Sequence, residues 1–449
     1  MRAIVIGAGK VGFEIARKLS EDGHDVVVVD RDEAVLKEVE DNLDVLVVHG
    51  NGASTRVLEE ASIKDAGLFI AVTDVDEINI IACMIAKRLG VKTTIARIRN
   101  PEYQGLKNWT LSNKQLGIDA VINPEEAVAY EIIKFLRAPA ATDIEYFADG
   151  KIQMVGFNVQ EGSPIANKTV KNASISYCTI GAISRKGEVL IPHGSTRILP
   201  GDDIFIIGRS GLPTEIGWVV GKSDQAARNV VILGGGRTGF ILAQYLQNHR
   251  KYGPFVKLIE RDKELCEELA EKLHHVLVVN ADGTRPDVFR EENIRAADSF
   301  IAVTGQDQTN LLAGFLAKDL GVQRVVAELH REDYVPTARK MRIDVTVIPR
   351  LIIASTILRA IPKPSVKTLS FLREGNLEVV EMVVCPGSSV SGKSLRNIGL
   401  PEEVVVGAIV RGDAVVVPRG DTVMCPGDHV LIFASPRVGP LLESYFGVK

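Results

Sequence analysis

The chain has 449 residues, 46% of them hydrophobic and 24% charged, which is ordinary globular usage with room for two to four domains. Lys+Arg is 53 and Asp+Glu 57, a formal charge of −4 that leaves no electrostatic footprint for DNA or RNA, so nucleic acid is not an expected partner. No apolar run reaches the ~18 residues of a membrane span and the N-terminus has no signal-peptide layout, while five scattered cysteines (Cys83, Cys178, Cys266, Cys385, Cys425) argue against a disulfide or metal framework and for a reducing cytosol.

From the first residues onward, short runs rich in Val and Ile alternate with amphipathic helical patterns. Strands are expected at 3–6, 26–29, 45–48, 68–72 and 93–98, apolar on both faces as in a parallel sheet covered by helices. A helix over 10–20 follows the first strand. Thr73 or Asp74 caps a later one, in which Ile78, Ile81, Ile85 and Leu89 share a face and Gly90 ends the pattern. This alternation specifies a doubly wound α/β fold of the Rossmann type. Beyond residue 140 the pattern changes. Gly181-Ala182-Ile183 reads as a strand, and Pro200-Gly201-Asp202 turns into the apolar run Ile204–Ile207, as in a small α+β unit.

The sequence then repeats. Ala3-Ile4-Val5-Ile6-Gly7-Ala8-Gly9-Lys10-Val11-Gly12 returns as Val230-Val231-Ile232-Leu233-Gly234-Gly235-Gly236-Arg237-Thr238-Gly239, 227 residues on. Phe69-Ile70-Ala71-Val72-Thr73 returns as Phe300-Ile301-Ala302-Val303-Thr304, Asn79 falls on Asn310, and Pro200-Gly201-Asp202 returns as Pro426-Gly427-Asp428. The organisation is therefore A–B–A′–B′. Rossmann-type parallel-sheet domains are expected at 1–138 and 228–361, and small α+β domains at 140–222 and 366–449. Loop chemistry marks the junctions at Arg137-Ala138-Pro139-Ala140, Gly221-Lys222-Ser223-Asp224 and Ile361-Pro362-Lys363-Pro364.

Gly7-x-Gly9-x-x-Gly12 joins a strand to a helix, the context in which this spacing carries meaning. The first glycine permits the tight turn, the second lets backbone approach a pyrophosphate, and the third lets the helix pack on the sheet. Asp30 ends the second strand, where a carboxylate accepts both ribose hydroxyls and repels a 2′-phosphate. The second copy has Gly234, Gly236 and Gly239, with Glu260 in the carboxylate place. Arg31 and Arg261 follow the carboxylates and either cover an adenine face or turn to solvent. Lys10 and Arg237 lie inside the loops, where a cation reaches a terminal phosphate of ADP or ATP. Asn51-Gly52 and Asp282-Gly283 follow the third strands, Thr73-Asp74 and Thr304-Gly305 the fourth, and Arg97 ends the fifth. All are at carboxyl ends of strands, where open α/β sheets bind ligands. The copies diverge in charge: Arg97 aligns with Glu328, and Glu125 with Arg350. The sites are therefore expected to differ in ligand preference, with the first the better polyphosphate site.

Neither His193 nor His429 has a Lys or carboxylate partner repeated in both copies, so no general acid–base set is visible and no catalytic residue is assigned. On the residues alone, a nucleotide sensor, an NAD-dependent oxidoreductase and a nucleotide-binding scaffold without a channel partner remain the three classes to separate.

The whole chain resembles the tandem regulator-of-potassium-conductance (RCK/KTN) family. The resemblance rests on Ile6-Gly7-Ala8-Gly9-Lys10-Val11-Gly12, Val28-Val29-Asp30, Ile70-Ala71-Val72-Thr73 with Asp76-Glu77-x-Asn79, Ile95-Ala96-Arg97-Ile98 and Pro124-Glu125. In the second half it rests on Gly234-Gly235-Gly236, Leu258-Ile259-Glu260-Arg261 and Phe300-Ile301-Ala302-Val303-Thr304. It implies a cytoplasmic regulatory subunit, peripheral on the inner face of the membrane, that binds NAD(H) and ADP/ATP and gates a potassium-translocating membrane subunit. Rings in that family hold eight such units, so a two-unit chain implies a homotetramer. This sequence departs from the family at Asn51, where an Asp is usual, and at Glu328, where the first half has Arg97.

Overall fold

The computed structural model describes residues 1–103, 113, 115–137, 141–148, 150–173, 177–186, 188–210, 227–248, 254–361, 369–371, 378–401, 403–435 and 438–447. Most of the three expected junctions (138–140, 221–224 and 362–364) lies outside the described residues.

The first Rossmann sheet consists of β1 (Arg2–Ile6), β2 (Asp25–Asp30), β3 (Leu46–His49), β4 (Ala66–Ala71), β5 (Thr93–Arg97) and β6 (Ala120–Ile122), all parallel, in the order β3-β2-β1-β4-β5-β6. Its helices are α1 (Lys10–Glu21), α2 (Glu33–Asn42), α3 (Thr55–Glu60), α4 (Asp76–Arg88) and α5 (Pro124–Arg137). β1 lies between β2 and β4, so the chain crosses over in opposite directions from it and a crevice opens at its carboxyl end. The expected set of strands omitted β6, whose three residues are too few to show a period. β3 is an edge strand, with Leu46 59% exposed, so it is not apolar on both faces.

The α4 face differs from expectation. Asn79, Ile80, Ala82, Cys83 and Ala86 are buried, while Ile81 is 47% exposed. Ile85 and Leu89 of the expected stripe still pack half-buried against the core, and Ile81 is the member that turns to solvent. The N-cap is Val75, without a side-chain cap bond, rather than Thr73 or Asp74.

The small domain that follows holds an antiparallel sheet of β7 (Ala141–Phe147), β8 (Ile152–Asn158), β9 (Cys178–Arg185), β10 (Glu188–Leu190) and β11 (Asp203–Arg209), in the order β10-β9-β11-β8-β7. The second half rebuilds both. Its parallel sheet runs β14-β13-β12-β15-β16-β17, from β12 (Asn229–Leu233), β13 (Phe255–Glu260), β14 (Val276–Asn280), β15 (Ser299–Ala302), β16 (Arg324–Glu328) and β17 (Val345–Val347). The helices are α6 (Arg237–Asn248), α7 (Lys263–Lys272), α8 (Pro286–Glu291), α9 (Asp307–Asp319), α10 (Val335–Lys340) and α11 (Pro349–Arg359). Its antiparallel sheet runs β18-β19-β22-β20-β21, from β18 (Leu369–Phe371), β19 (Glu378–Val383), β20 (Val404–Arg411), β21 (Ala414–Val416) and β22 (His429–Ala434), with α12 (Leu395–Ile398) and α13 (Gly439–Phe446).

Contacts group the chain by domain type. Met1–Ile133 and Ala227–Ile361 form one compact unit, Lys134–Ala226 and Pro362–Lys449 the other. Within the first, Ile353, Ala354 and Ile357 of α11 are buried in one core with Ile15, Ala16 and Leu19 of α1. Tyr130 of α5 meets Tyr245 of α6 edge-on, with ring centroids 5.9 Å apart. Each half thus places its last Rossmann helix against the first Rossmann helix of the other.

In the second unit the two antiparallel sheets share a core that includes Met154, Phe205, Ile207, Leu431 and Phe433. The repeated Gly-Ala-Ile explains that packing. Gly181 and Gly407 are skipped by the ladder as bulges, and a Cβ on Gly181 would stand 2.1 Å from Phe433, one on Gly407 2.6 Å from Ile207.

Candidate nucleotide-binding sites

Each glycine loop leaves the end of the central strand of its sheet. Gly7 and Gly234 take φ of +100° and +109°, in the left-handed region that glycine tolerates. A Cβ on Gly12 would stand 1.7 Å from the Gly7 carbonyl oxygen, and one on Gly239 1.9 Å from that of Gly234, so helix and loop touch through backbone. A Cβ on Gly9 or Gly236 would meet no neighbouring atom within 4 Å among the described residues, which leaves that side of the backbone open to a ligand. Gly9 is the extended N-cap of α1 and no side chain caps it, so the first amides of that helix are available to an anion. Lys10 and Arg237 are exposed beside them, and Val11 and Thr238 are half-buried.

The ribose carboxylates are built into the loops. Asp30 Oδ2 accepts from the Ala8 amide at 2.6 Å and Oδ1 from the Asp32 amide at 3.0 Å. Glu260 Oε2 accepts from the Gly235 amide at 2.7 Å, and Oε1 from the Arg261 and Asp262 amides at 2.8 and 2.9 Å. Asp32 and Asp262 then cap α2 and α7. The side chains of Arg31 and Arg261 are exposed.

A third element was legible only as a repeated letter. Asn79 is fully buried. Its Oδ1 accepts from the Thr73 amide and hydroxyl at 2.9 and 2.7 Å, and its Nδ2 donates to the carbonyls of Thr73 and Arg97 at 3.0 and 2.9 Å. Asn310 does the same for Thr304 and Glu328, at 3.0, 2.6, 3.0 and 2.8 Å. One amide thereby ties the ends of two strands to a helix beside the loop. After the third strands, Gly52 and Gly283 lie so close to Ile6 and Leu233 that a Cβ would come within 2.1 and 2.2 Å. Asn51 Oδ1 accepts from the Ala53 amide at 3.0 Å, and Asp282 Oδ1 from the Thr284 amide at 2.9 Å, so the amide side chain keeps the turn and drops the charge. The Thr284 amide and hydroxyl hold the Asp282 carboxyl below its ordinary value.

The fifth strands end differently. Arg97 is 6% exposed, and its Nη1 donates to Asp74 Oδ1 at 2.9 Å while Nε has no partner among the described residues. Burial and then the neighbouring Arg99 pull its pKa below the ordinary guanidinium value. Glu328 is 7% exposed, with Oε1 3.5 Å from His330 Nε2 and Oε2 without a partner among the described residues. Burial, Asp307 and then Glu125 push its carboxyl up to about 7. Glu125 also acts on Arg97 and lies 3.4 Å from Arg99 Nε, while Arg350 pairs with Glu332 at 3.0 Å. Glu125 of the first half thus acts on Glu328 of the second as well as on Arg97 of its own half.

The histidines hold no repeated machinery. The His193 counterpart is Arg419: the His193 and Arg419 amides each donate to a threonine hydroxyl at 2.9 Å. His429 does have a carboxylate partner, Glu381 at 2.9 Å, and that pair exists in one copy only, since Asp203 stands at the matching position. Among the described residues no three His, Cys, Asp or Glu gather to hold a metal ion.

Two glycine-loop Rossmann domains in one chain, each followed by an antiparallel domain, define a tandem Rossmann protein built by duplication. The family models assign it further. The TrkA-N domain matches residues 3–124 and 230–349, and the TrkA-C domain matches 154–211 and 379–447, so the chain belongs to the TrkA family. It is 36% identical to the Trk system potassium uptake protein TrkA homolog 1 of Methanosarcina mazei, over 99% of this chain and 100% of that protein. It is 32% identical to the Trk system potassium uptake protein TrkA of Haemophilus influenzae, over 99% of this chain and 98% of that one. Among solved structures, the GsuK RCK domain aligns at a TM-score of 0.60 and 20% identity, over 100% of this chain and 96% of that one. The GsuK channel bound to NAD aligns at 0.61 and 20%, over 100% and 80%. The RCK fold expected from the motifs is the fold observed.

Proposed function

We propose that this chain is the regulatory subunit of a potassium-uptake system, and that it binds NAD(H) and ADP or ATP at its two glycine loops and uses them as signals rather than substrates. The observation that carries this reading is the pairing, in both halves, of an open glycine loop with a carboxylate hydrogen-bonded to the amide of its second residue. The full-length likeness to Trk potassium uptake proteins supports the uptake system, and the fold shared with an NAD-bound potassium channel supports the ligand. No helix among the described residues is long and apolar enough to cross a membrane. We assign the pore to a separate membrane subunit, as the likeness to Trk potassium uptake proteins supports. The chain works on the cytoplasmic face of that subunit, as a homotetramer whose Rossmann units make a ring.

Gating then follows from differential binding. A nucleotide that fits one ring conformation better than another shifts the population by the ratio of its two affinities. A ~100-fold ratio supplies about 2.7 kcal/mol per site, and several coupled sites can move a pore. Arg97 makes the first site the one for polyphosphate, because a cation there favours charge that Glu328 opposes in the second.

Calorimetric titration of NAD, NADH, ADP and ATP into the wild type, Asp30→Ala and Glu260→Ala tests the reading. Each variant should lose about tenfold or more in affinity at one site and keep the other. Unchanged affinities for all four ligands in Asp30→Ala would show that the first loop is not the site.

A further inference from the structure

Asp30 and Glu260 differ by one methylene, yet they close on equivalent amides: those of residues 8 and 32 in the first half, 235 and 262 in the second. The extra carbon needs space. A Cβ on Gly235 would stand 3.2 Å from both Cβ and Cγ of Glu260, and 2.5 Å from Cδ1 of Leu269 on α7. The residues that match these three in the first half are Ala8, Asp30 and Val39. There the loop carries a methyl group, the carboxylate is one carbon shorter, and the helix residue is one carbon shorter. Ala8, Val39 and Leu269 are all buried, at 2%, 0% and 3% exposure, so none can swing out to relieve a clash.

We infer that Gly235 and Leu269 are positioning residues for Glu260: together the three are a compensated replacement of Ala8, Asp30 and Val39 that holds the second carboxylate where the first holds its own. The second site therefore takes a nucleotide with a free ribose diol, as the first does, and rejects a 2′-phosphate. The two halves then differ in charge away from the carboxylate, at Arg97 and Glu328 above all. This rests on the proposed nucleotide binding and gives the second loop a ligand class.

The test uses the full chain in an Asp30→Ala background, so that the second site reports alone. NAD and its 2′-phosphorylated form are titrated into this parent, into Gly235→Ala, and into the triple change Gly235→Ala, Glu260→Asp, Leu269→Val. Ligand-free melting is recorded for each. The parent should prefer NAD. Gly235→Ala should weaken NAD about tenfold and lower the melting temperature, and the triple change should restore both. Equal binding of the two nucleotides by the parent, or a triple variant no better than Gly235→Ala, overturns the inference. If the parent binds neither nucleotide, the binding reading of the second half fails. Melting then still decides the packing exchange, which an unperturbed Gly235→Ala overturns.

Discussion

The two Rossmann halves agree where backbone geometry makes the demand and part where charge does. The asparagine clamp repeats to within about 0.1 Å at each of its four hydrogen bonds, and the glycine contacts repeat to within a few tenths. At the ends of β5 and β16 a buried arginine faces a buried glutamate in the matching position. Duplication has kept the parts that hold the loop open and changed the part that sets the sign of the local field. The halves are thus one scaffold with two electrostatic settings, and the experiments below press on that division.

The largest effect should come from the shared scaffold. A Cβ at Gly12 or Gly239 falls on a backbone carbonyl at 1.7 or 1.9 Å, which no rotamer change relieves. Gly12→Ala and Gly239→Ala should each destabilise their half by about 3 kcal/mol or more, read as a lower urea midpoint. If one half tolerates the change and the other does not, the scaffold is not shared. Gly9→Ala, with open space around it, should leave ligand-free stability nearly unchanged and weaken nucleotide binding.

The next effect separates the halves. The Glu328 carboxyl, raised to about 7, binds a proton in the folded chain at pH values where the unfolded chain has released it. Folded stability therefore falls as pH rises from the ordinary carboxyl value through 7, and the cost is complete above that. At ~1.4 kcal/mol per pKa unit it is on the order of 3 kcal/mol. Glu328→Gln should unfold later than wild type at pH 8, with the difference shrinking towards pH 5. Arg97→Gln should show no such slope between those pH values. A pH-independent gain in Glu328→Gln would mean that burial does not hold the proton there. Below this in size, Asn79→Ala and Asn310→Ala should each cost about 2 kcal/mol, and equally, because each strands the same amide and hydroxyl donors.

How far this was readable in advance depends on the kind of signal. The repeat, the sheet class and both glycine loops were legible because Gly7, Gly9 and Gly12 each answer to a local backbone demand. Asp30 and Glu260 were legible as carboxylates at strand ends, but their bond to the loop amide was not, since it joins residues 22 or 25 apart. Ile81 departs from the pattern: α4 buries Ile80 together with Asn79, Ala82, Cys83 and Ala86, while Ile81, one position on, turns to solvent. Asn79 showed as a repeated letter whose role depends on where β5 ends. The exchange of α5 and α11 between halves, and with it the closeness of Glu125 to Glu328, has no trace in a local pattern, because it is a matter of which partner a helix meets.

The smallest effect tests whether Arg97 is set by its own half. Among the described residues Asp74 is the one carboxylate at hydrogen-bond distance from Arg97; its side chain is 86% exposed, and the matching residue in the second half is Gly305. An ion pair with one partner in water contributes below about 1 kcal/mol. Asp74→Gly should accordingly change stability by less than that. It should also release Nη1 of Arg97 from a competing anion, so ATP should bind the first site a few-fold more tightly at low salt, with the gain fading as the Debye length shrinks to about 8 Å near 0.15 M. A large loss of stability would make Asp74 a structural partner of Arg97, and a gain that ignores salt would place the improvement somewhere other than in charge. Either result would move the division between the halves away from the ends of the fifth strands.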